Sequence, residues 1–308
     1  MIEPRRGRRL TGGDRVLAFG ALGLVLLVVV VLGGEIVRSA GDGSPAPIAT
    51  GTATPPPVAV APIAVTAATP TGSPPATPVA DRPFVCLDPG HGGLDLGNVR
   101  LDGSAIVIQE KDLTLAHALA LADRLDAAGI GVVLTRREDA EANPINRDVN
   151  GDGIVAAPDG AANSDELDDQ QTRVFVCNEA GADLLVSIHY NGAENLDLEG
   201  YEVWFNQDRP FSDESERFAT LIHNELGTRL PAAGLDASDR GIGFEDHAVT
   251  GPARPGELIP SEMPGVVVEG LFLSNDEDAA FVVTAAGQEA LIGAYEAAIR
   301  RYFDRSPT

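Results

Sequence analysis

Residues 82–308 are predicted to form a single α/β domain with a mostly parallel or mixed central sheet flanked by helices. Short apolar runs alternate along this part of the chain with amphipathic stretches of helical length, a pattern typical of strands alternating with helices. Glycine or proline follows several of these segments and marks their ends. A domain of this length buries well over half of the surface of its unfolded chain, so its stability does not require a disulfide or a metal.

The predicted strands are short apolar runs that end at turn residues. The first is the sequence FVCL at residues 84–87, which is followed by Asp88-Pro89-Gly90. The remaining predicted strands are residues 130–134, 184–188, 201–205 and 266–268.

The predicted helices carry apolar residues at helical spacing. Leucine and alanine predict a helix over residues 113–128, and Gly129 provides its left-handed C-cap. Three further helices are predicted over residues 173–180, 214–229 and 288–303, the second of these three ending before Pro231. Ser274-Asn275 precedes three acidic residues, a pattern typical of a helix N-cap, so we interpret it as structural.

Residues 16–34 form an uncharged apolar run that is predicted to be a transmembrane signal anchor. Its 19 residues are just long enough to cross a hydrocarbon core at about 1.5 Å per residue. Five arginines lie in residues 1–15, which predicts a cytoplasmic basic N-terminus and places the folded domain outside the cytoplasm, in the cell envelope. The alternative is a cleaved signal peptide, which would make the protein secreted.

Residues 35–81 are rich in proline, threonine and alanine and are nearly free of charge. This composition predicts a disordered, polyproline-biased linker between the anchor and the folded domain.

The net charge of −24 is unevenly distributed. Residues 1–15 carry +3 and residues 35–80 carry −1, which leaves −26 on the rest of the chain. Such an acidic domain repels phosphate backbones, which argues against a nucleic-acid partner.

The two cysteines, Cys86 and Cys177, lie within apolar runs; they could pair, but the expectation favours two buried, unpaired thiols.

Four potential metal-binding or catalytic residues lie at predicted strand and helix ends. His91 follows the first strand, Glu110 begins the first long helix, His189 closes LLVSIH, and Glu269 ends VVVE. The carboxyl ends of strands in an open α/β sheet meet at one edge, so these side chains are expected to converge. Two imidazoles and one carboxylate would leave one position of a tetrahedral zinc ion open for water.

Four motifs in this order resemble those of the zinc-dependent N-acetylmuramoyl-L-alanine amidases of type 3, which include the bacterial cell-separation amidases. They are DPGHGG at residues 88–93, EKDL at 110–113, SIHYN at 187–191 and VEGLFLSN at 268–275. Their order and spacing match over nearly all of residues 84–303.

The resemblance implies that His91, Glu110 and His189 bind zinc and that Glu269 is the catalytic glutamate. It implies hydrolysis, by zinc-activated water, of the amide bond between N-acetylmuramic acid and L-alanine in peptidoglycan, during cell-wall remodelling or daughter-cell separation. Peptidoglycan and, through residues 16–34, the membrane are the expected partners, and the residues point to no particular protein activator.

An acidic insertion at about residues 140–170 exceeds the connection that the family pattern predicts. It contains a segment that resembles the calcium loop of dockerin-type modules, with Gly153 at the turn. Its predicted Ca²⁺ ligands are Asp148, Asn150, Asp152, Ile154 (through its carbonyl) and Asp159. The alternative is a flexible acidic surface loop in which these residues only favour turns.

Two other functions stay open at this point. One is a catalytically inactive domain that binds peptidoglycan or regulates another enzyme, and the other is a zinc hydrolase that cuts a different amide of peptidoglycan.

Arg136 and Arg173 are interpreted as packing and salt-bridge residues, and His247 is a weaker candidate for an additional substrate or metal contact.

Overall fold

The computed structural model describes residues 82–151, 153, 155, 166–251 and 259–304. The predicted basic N-terminus, the predicted anchor and the whole of the predicted linker, residues 35–81, lie outside these residues. No helix within the described part of the chain is long and apolar enough to cross a bilayer.

The described chain forms eight strands and five helices. In order they are β1 (Phe84–Pro89), β2 (Val99–Asp102), β3 (Ala105–Gln109), α1 (Glu110–Ala127), β4 (Gly131–Leu134), α2 (Glu166–Glu179), β5 (Leu184–Asn191), β6 (Tyr201–Phe205), α3 (Ser212–Ala232), β7 (Asp239–Phe244), β8 (Gly265–Phe272), α4 (Asp276–Val282) and α5 (Ala285–Phe303).

Six of the strands form a mixed sheet in the order β4-β1-β5-β8-β6-β7, which confirms the predicted α/β class. The strands β4, β1, β5 and β8 are parallel, whereas β6 runs antiparallel to β8 and parallel to β7. Glu269 of β8 is in register with His189 on one side and with Glu202 on the other. The sheet therefore places these three side chains next to one another at one edge.

The two faces of the sheet bury different cores. Alternate strand residues such as Leu87, Ile188 and Val268 join the larger apolar core, together with residues of α1, α3 and α5. The intervening residues, such as Leu185 and Val267, join a smaller core with α2. The predicted metal ligand His189 lies at the end of β5 on this second face, because side chains alternate along a strand.

The expectation of unpaired thiols was wrong, because Cys86 and Cys177 form a disulfide with a Cα–Cα distance of 5.4 Å. Cys86 lies on the α2 face of β1, and Cys177 lies on the side of α2 that packs against it. The apolar runs that suggested buried thiols also bring the two side chains into the same small core.

All five predicted strands and all four long predicted helices are present, with changes at their ends. α2 begins at Glu166 and α3 continues through Pro231 to Ala232, where the missing amide costs only one hydrogen bond near the helix end. The short helix α4 confirms the predicted N-cap: the Asn275 side chain accepts hydrogen bonds from the backbone N–H groups of Glu277 and Asp278.

Candidate metal centre

His91 lies directly after β1 in a tightly constrained turn. The Gly90 N–H donates to the carbonyl of Ile188 at 3.0 Å, which continues the β1–β5 pairing beyond the strand. His91 itself has a φ of +61°, a left-handed conformation that costs a residue other than glycine about 1–2 kcal/mol. The surrounding contacts must therefore hold this turn in place.

A buried ion pair between Arg173 and Asp88 holds the turn at His91 in place. Arg173 contacts the Asp88 carboxylate at 2.9 Å and donates to the His91 carbonyl at 2.8 Å. The hydroxyls of Thr135 and Ser187 donate to the two Asp88 oxygens at 2.6 and 2.7 Å. Burial raises the pKa of Asp88, but Arg173 and the two hydroxyls together hold it below its ordinary value.

A second buried arginine holds the same segment. The Arg136 guanidinium donates to the carbonyls of Pro89, Gly90 and Lys111 at 2.8–2.9 Å. It thereby ties the His91 turn to the first turn of α1. Both arginines bind backbone and structural groups, as the sequence interpretation stated.

Glu110 begins α1 and is almost completely buried. Its Oε1 accepts the Tyr190 N–H at 2.9 Å, and its Oε2 accepts the backbone and side-chain N–H groups of Asn98 at 2.8 and 3.0 Å. Burial alone would raise the pKa of Glu110. The two histidines beside it lower the pKa by more than burial raises it, so the pKa lies well below its ordinary value. The side chain is therefore a fixed, ionised carboxylate.

The structure brings the three predicted ligands together. Glu110 Oε1 lies 3.0 Å from His91 Nε2 and 3.1 Å from His189 Nδ1, and the two ring nitrogens are 3.2 Å apart. These donor atoms all lie within 4.8 Å of one another. Two imidazoles and one carboxylate around a common point match the donor set of catalytic zinc, with a fourth position left for water.

Two residues that sequence reasoning missed support the ligands. Asp95 Oδ2 lies 2.7 Å from His91 Nδ1 and so directs the other ring nitrogen, Nε2, toward Glu110. Asn98 holds Glu110 Oε2, as described above, and also donates to the Tyr190 carbonyl at 2.8 Å. An aspartate four residues after His91 was the available sequence signal, but its contact depends on the conformation of the loop.

Gly97, between these two residues, is required by close contacts. Its φ is +63°, and a Cβ atom there would lie 2.6 Å from both Glu110 Oε2 and His91 Cδ2. A larger residue would therefore displace two of the predicted ligands.

Glu269 faces the ligand cluster but does not belong to it. It is paired with His189 across β5 and β8, and its Oε2 is buried without a hydrogen-bond partner among the described residues. Burial and the negative charges of Glu110 and Glu202 raise its pKa well above the ordinary value, although His91 acts in the opposite direction. A bound cation with its water would provide the partner that this oxygen lacks.

The acidic insertion is only partly described. Asp148 and Asn150 lie within the described residues, whereas Asp152, Ile154 and Asp159 lie outside them. The Asp148 carboxylate accepts the N–H groups of Gly151 and Gly153 at 2.7 and 3.0 Å and so closes the start of the loop.

Comparison with known proteins agrees with this geometry. Residues 85–301 match the family model described as N-acetylmuramoyl-L-alanine amidase. The germination-specific N-acetylmuramoyl-L-alanine amidase of Bacillus subtilis is 27% identical over 223 residues, which cover 71% of this chain and 79% of that protein.

Solved structures show the same fold. The amidase AmiC2 of Nostoc punctiforme is 25% identical with a TM-score of 0.52, and the match covers 72% of this chain and 98% of that one. The CwlD amidase of Clostridioides difficile, solved in complex with the GerS lipoprotein, is 24% identical with a TM-score of 0.57 and the same coverage. Because the family model matches most of the chain, this protein belongs to the N-acetylmuramoyl-L-alanine amidase family.

Proposed function

We propose that this protein hydrolyses the amide bond between the lactyl group of N-acetylmuramic acid and the L-alanine of the peptidoglycan stem peptide, with one zinc ion held by His91, Glu110 and His189. The observation that carries the proposal is the convergence of these three donor atoms within 4.8 Å, beside Glu269, which lies outside this cluster. Family membership supplies the substrate class.

When bound, zinc would polarise the scissile carbonyl and lower the pKa of a water molecule at the open position. Glu269 accepts a proton from the attacking water, whose oxygen bonds to the carbonyl carbon. Glu269 then returns this proton to the nitrogen of L-alanine as the carbon–nitrogen bond breaks. The products are the lactyl carboxylic acid and a stem peptide with a free amine.

The environment of Glu269 suits this proton transfer. Its raised pKa in the metal-free protein favours the protonated carboxyl group that donates to the leaving nitrogen, and the positive charge of a bound zinc ion would favour the carboxylate that first accepts the water proton. The strand pairing with His189 fixes its position relative to the ligands, so little reorganisation is needed between the two transfers.

Digestion of purified peptidoglycan by the full chain tests the proposal. Mass spectrometry is expected to find free stem peptides that begin at L-alanine, and a chelator is expected to abolish their release. An inactive wall-binding domain would release nothing, and a hydrolase of another amide would cut within the stem; either result would contradict the proposal.

We also propose that residues 16–34 anchor the protein in the membrane and that its catalytic domain lies outside the cytoplasm. The arginines before this apolar run support the orientation, and the Cys86–Cys177 disulfide fits an oxidising compartment. Fractionation of cells is expected to recover the full chain with membranes. Recovery of a shortened chain in the medium would instead indicate a cleaved signal peptide.

We also propose that the segment from Asp148 to Asp159 binds Ca²⁺. The spacing of its oxygen-bearing residues supports it, together with the turn that the Asp148 carboxylate makes around Gly151 and Gly153. Calorimetric titration is expected to show Ca²⁺ binding that Asp148→Ala removes. No heat of binding at millimolar Ca²⁺ would leave only a turn-rich acidic loop.

A further inference from the structure

Trp204 is the single tryptophan of the chain. It lies on the same face of the sheet as Glu269, two residues along each strand from the Glu202–Glu269 pair. On β6, Glu202 is in register with Glu269 and Trp204 with Val267. Since side chains alternate along a strand, Glu202, Trp204 and Glu269 project to one face. Two residues of strand separate Trp204 from Glu202, which is about 6.6 Å at ~3.3 Å per residue.

The indole ring lies across the neighbouring strand β7. A Cβ atom at Gly243 would lie 2.3 and 2.4 Å from two carbon atoms of the ring, so the ring occupies the place of a side chain there. Trp204 packs on the smaller apolar core and is only partly buried. One face of the ring is therefore packed against the protein, and part of the ring remains accessible to solvent.

His247 stands beside this ring. The two ring centroids are 6.1 Å apart with an interplanar angle of 70°, an edge-to-face contact. Its Nε2 is buried without a hydrogen-bond partner among the described residues, and the carboxylate of Glu245, at 3.9 Å, is too distant for a hydrogen bond. A buried polar atom in this condition is costly unless a ligand pairs with it.

We propose that Trp204 and His247 form a subsite for an N-acetylated sugar ring of the glycan strand, an inference that rests on the proposed amidase function. The C–H groups on one face of a pyranose ring form an apolar surface that can stack on the indole. The acetamido group can pair with His247 Nε2, through its carbonyl if the nitrogen is protonated and through its N–H if it is not.

The position of the subsite agrees with the connectivity of the substrate. The scissile amide is joined to its sugar through the lactyl group, so a sugar ring must lie within several ångströms of Glu269. The neighbouring charges also favour a neutral sugar over a stem peptide with free carboxylates. Glu245 and Asp246 precede His247 and carry these charges, whereas Glu202, on the Glu269 side of Trp204, is paired with Arg240 at 3.0 Å.

Because the chain has one tryptophan, its fluorescence reports on this subsite directly. An oligosaccharide of N-acetylglucosamine, which contains no scissile lactyl amide, is titrated into the zinc-loaded full chain. We expect a saturable change in Trp204 emission, and no change with a sugar-free stem peptide. His247→Ala is expected to weaken saccharide binding about tenfold, as for the loss of one hydrogen bond of ~1.4 kcal/mol.

His223→Ala is the matched control, because His223 lies on α3 and its Nε2 is paired with Asp239 at 2.7 Å. This variant should bind the saccharide as the parent does. Trp204→Phe provides a second measurement: its KM for peptidoglycan should rise several-fold while kcat stays near that of the parent. Thermal unfolding of each variant establishes that it is folded.

Unchanged emission at millimolar saccharide, or a change caused by the stem peptide alone, would overturn the inference. Its failure is separable from that of the proposed function. A chain that binds the saccharide and cuts no peptidoglycan would refute the amidase proposal. A chain that cuts peptidoglycan with parental KM after Trp204→Phe would refute only the subsite.

Discussion

We propose different tasks for Glu269 and for the three ligand residues, although all four side chains share one edge of the sheet. The ligands contact one another through donor atoms, whereas Glu269 Oε2 has no such contact among the described residues. We predict that Glu269→Gln retains zinc at the parental affinity and loses amidase kcat by about 10²–10⁴-fold, as expected for loss of general acid–base catalysis.

His189→Ala is the comparison variant for this experiment. It removes a donor atom, so zinc content and activity should fall together. Metal analysis and peptide release are measured on the same samples. A Glu269→Gln variant that hydrolyses peptidoglycan at the parental rate would contradict the assigned role.

The protonation of His91 predicts a pH dependence of zinc binding. Burial lowers the pKa of His91, but Glu110 and Asp95 outweigh that effect and raise it to about 10 in the metal-free protein. The ring is therefore protonated between pH 6 and 8 in the metal-free protein, and zinc must displace a proton to bind. Apparent zinc affinity is predicted to rise by up to about tenfold per pH unit between pH 6 and 8, measured by competition with a chelator. An affinity independent of pH would contradict this protonation state.

The clustering of His91, Glu110 and His189 could be predicted because each belongs to a motif at a strand or helix end. Asp95 and Asn98 could not, because a polar residue in a loop has many possible partners. Their contacts depend on the left-handed conformation at His91 and Gly97, which only the folded chain shows.

At the scale of the elements, the disulfide connects β1 to α2, the helix that carries Arg173. Cys86 precedes Asp88 by two residues, and Cys177 follows Arg173 by one helical turn. We predict that replacing both cysteines with alanine lowers the free energy of unfolding by about 2–5 kcal/mol, since the bridge closes a loop of 91 residues.

Urea unfolding of the oxidised parent and the double variant measures this effect. The reduced parent is the matched control and should resemble the double variant. Equal unfolding midpoints for the oxidised parent and the double variant would show that the bridge adds no stability.

The strands β1, β5 and β8 were predictable because parallel strands buried on both faces form nearly continuous apolar runs. The β2–β3 hairpin was missed because Leu101, Ile106 and Val107 are exposed and give no buried periodicity. β7 was missed because its glycines, including the Gly243 that lies beneath Trp204, weaken the strand signal.

At the scale of the whole molecule, the α/β class followed from segment alternation, and the family followed from four motifs in one order. The mixed sheet gathers these motifs at one edge, with the acidic insertion nearby: the insertion contacts α2 through Asp168, which accepts the N–H groups of Val149 and Asn150. The proposed membrane anchor would hold the domain where its peptidoglycan substrate lies.

A zinc titration of the metal-free chain shows whether hydrolysis depends on a single zinc centre. Peptide release from peptidoglycan should be absent after complete chelation, confirmed by metal analysis. It should return in proportion to added zinc and level off at about one equivalent per chain, the stoichiometry of a single three-ligand site. Full activity in a chain verified to contain no metal would show that hydrolysis does not require zinc.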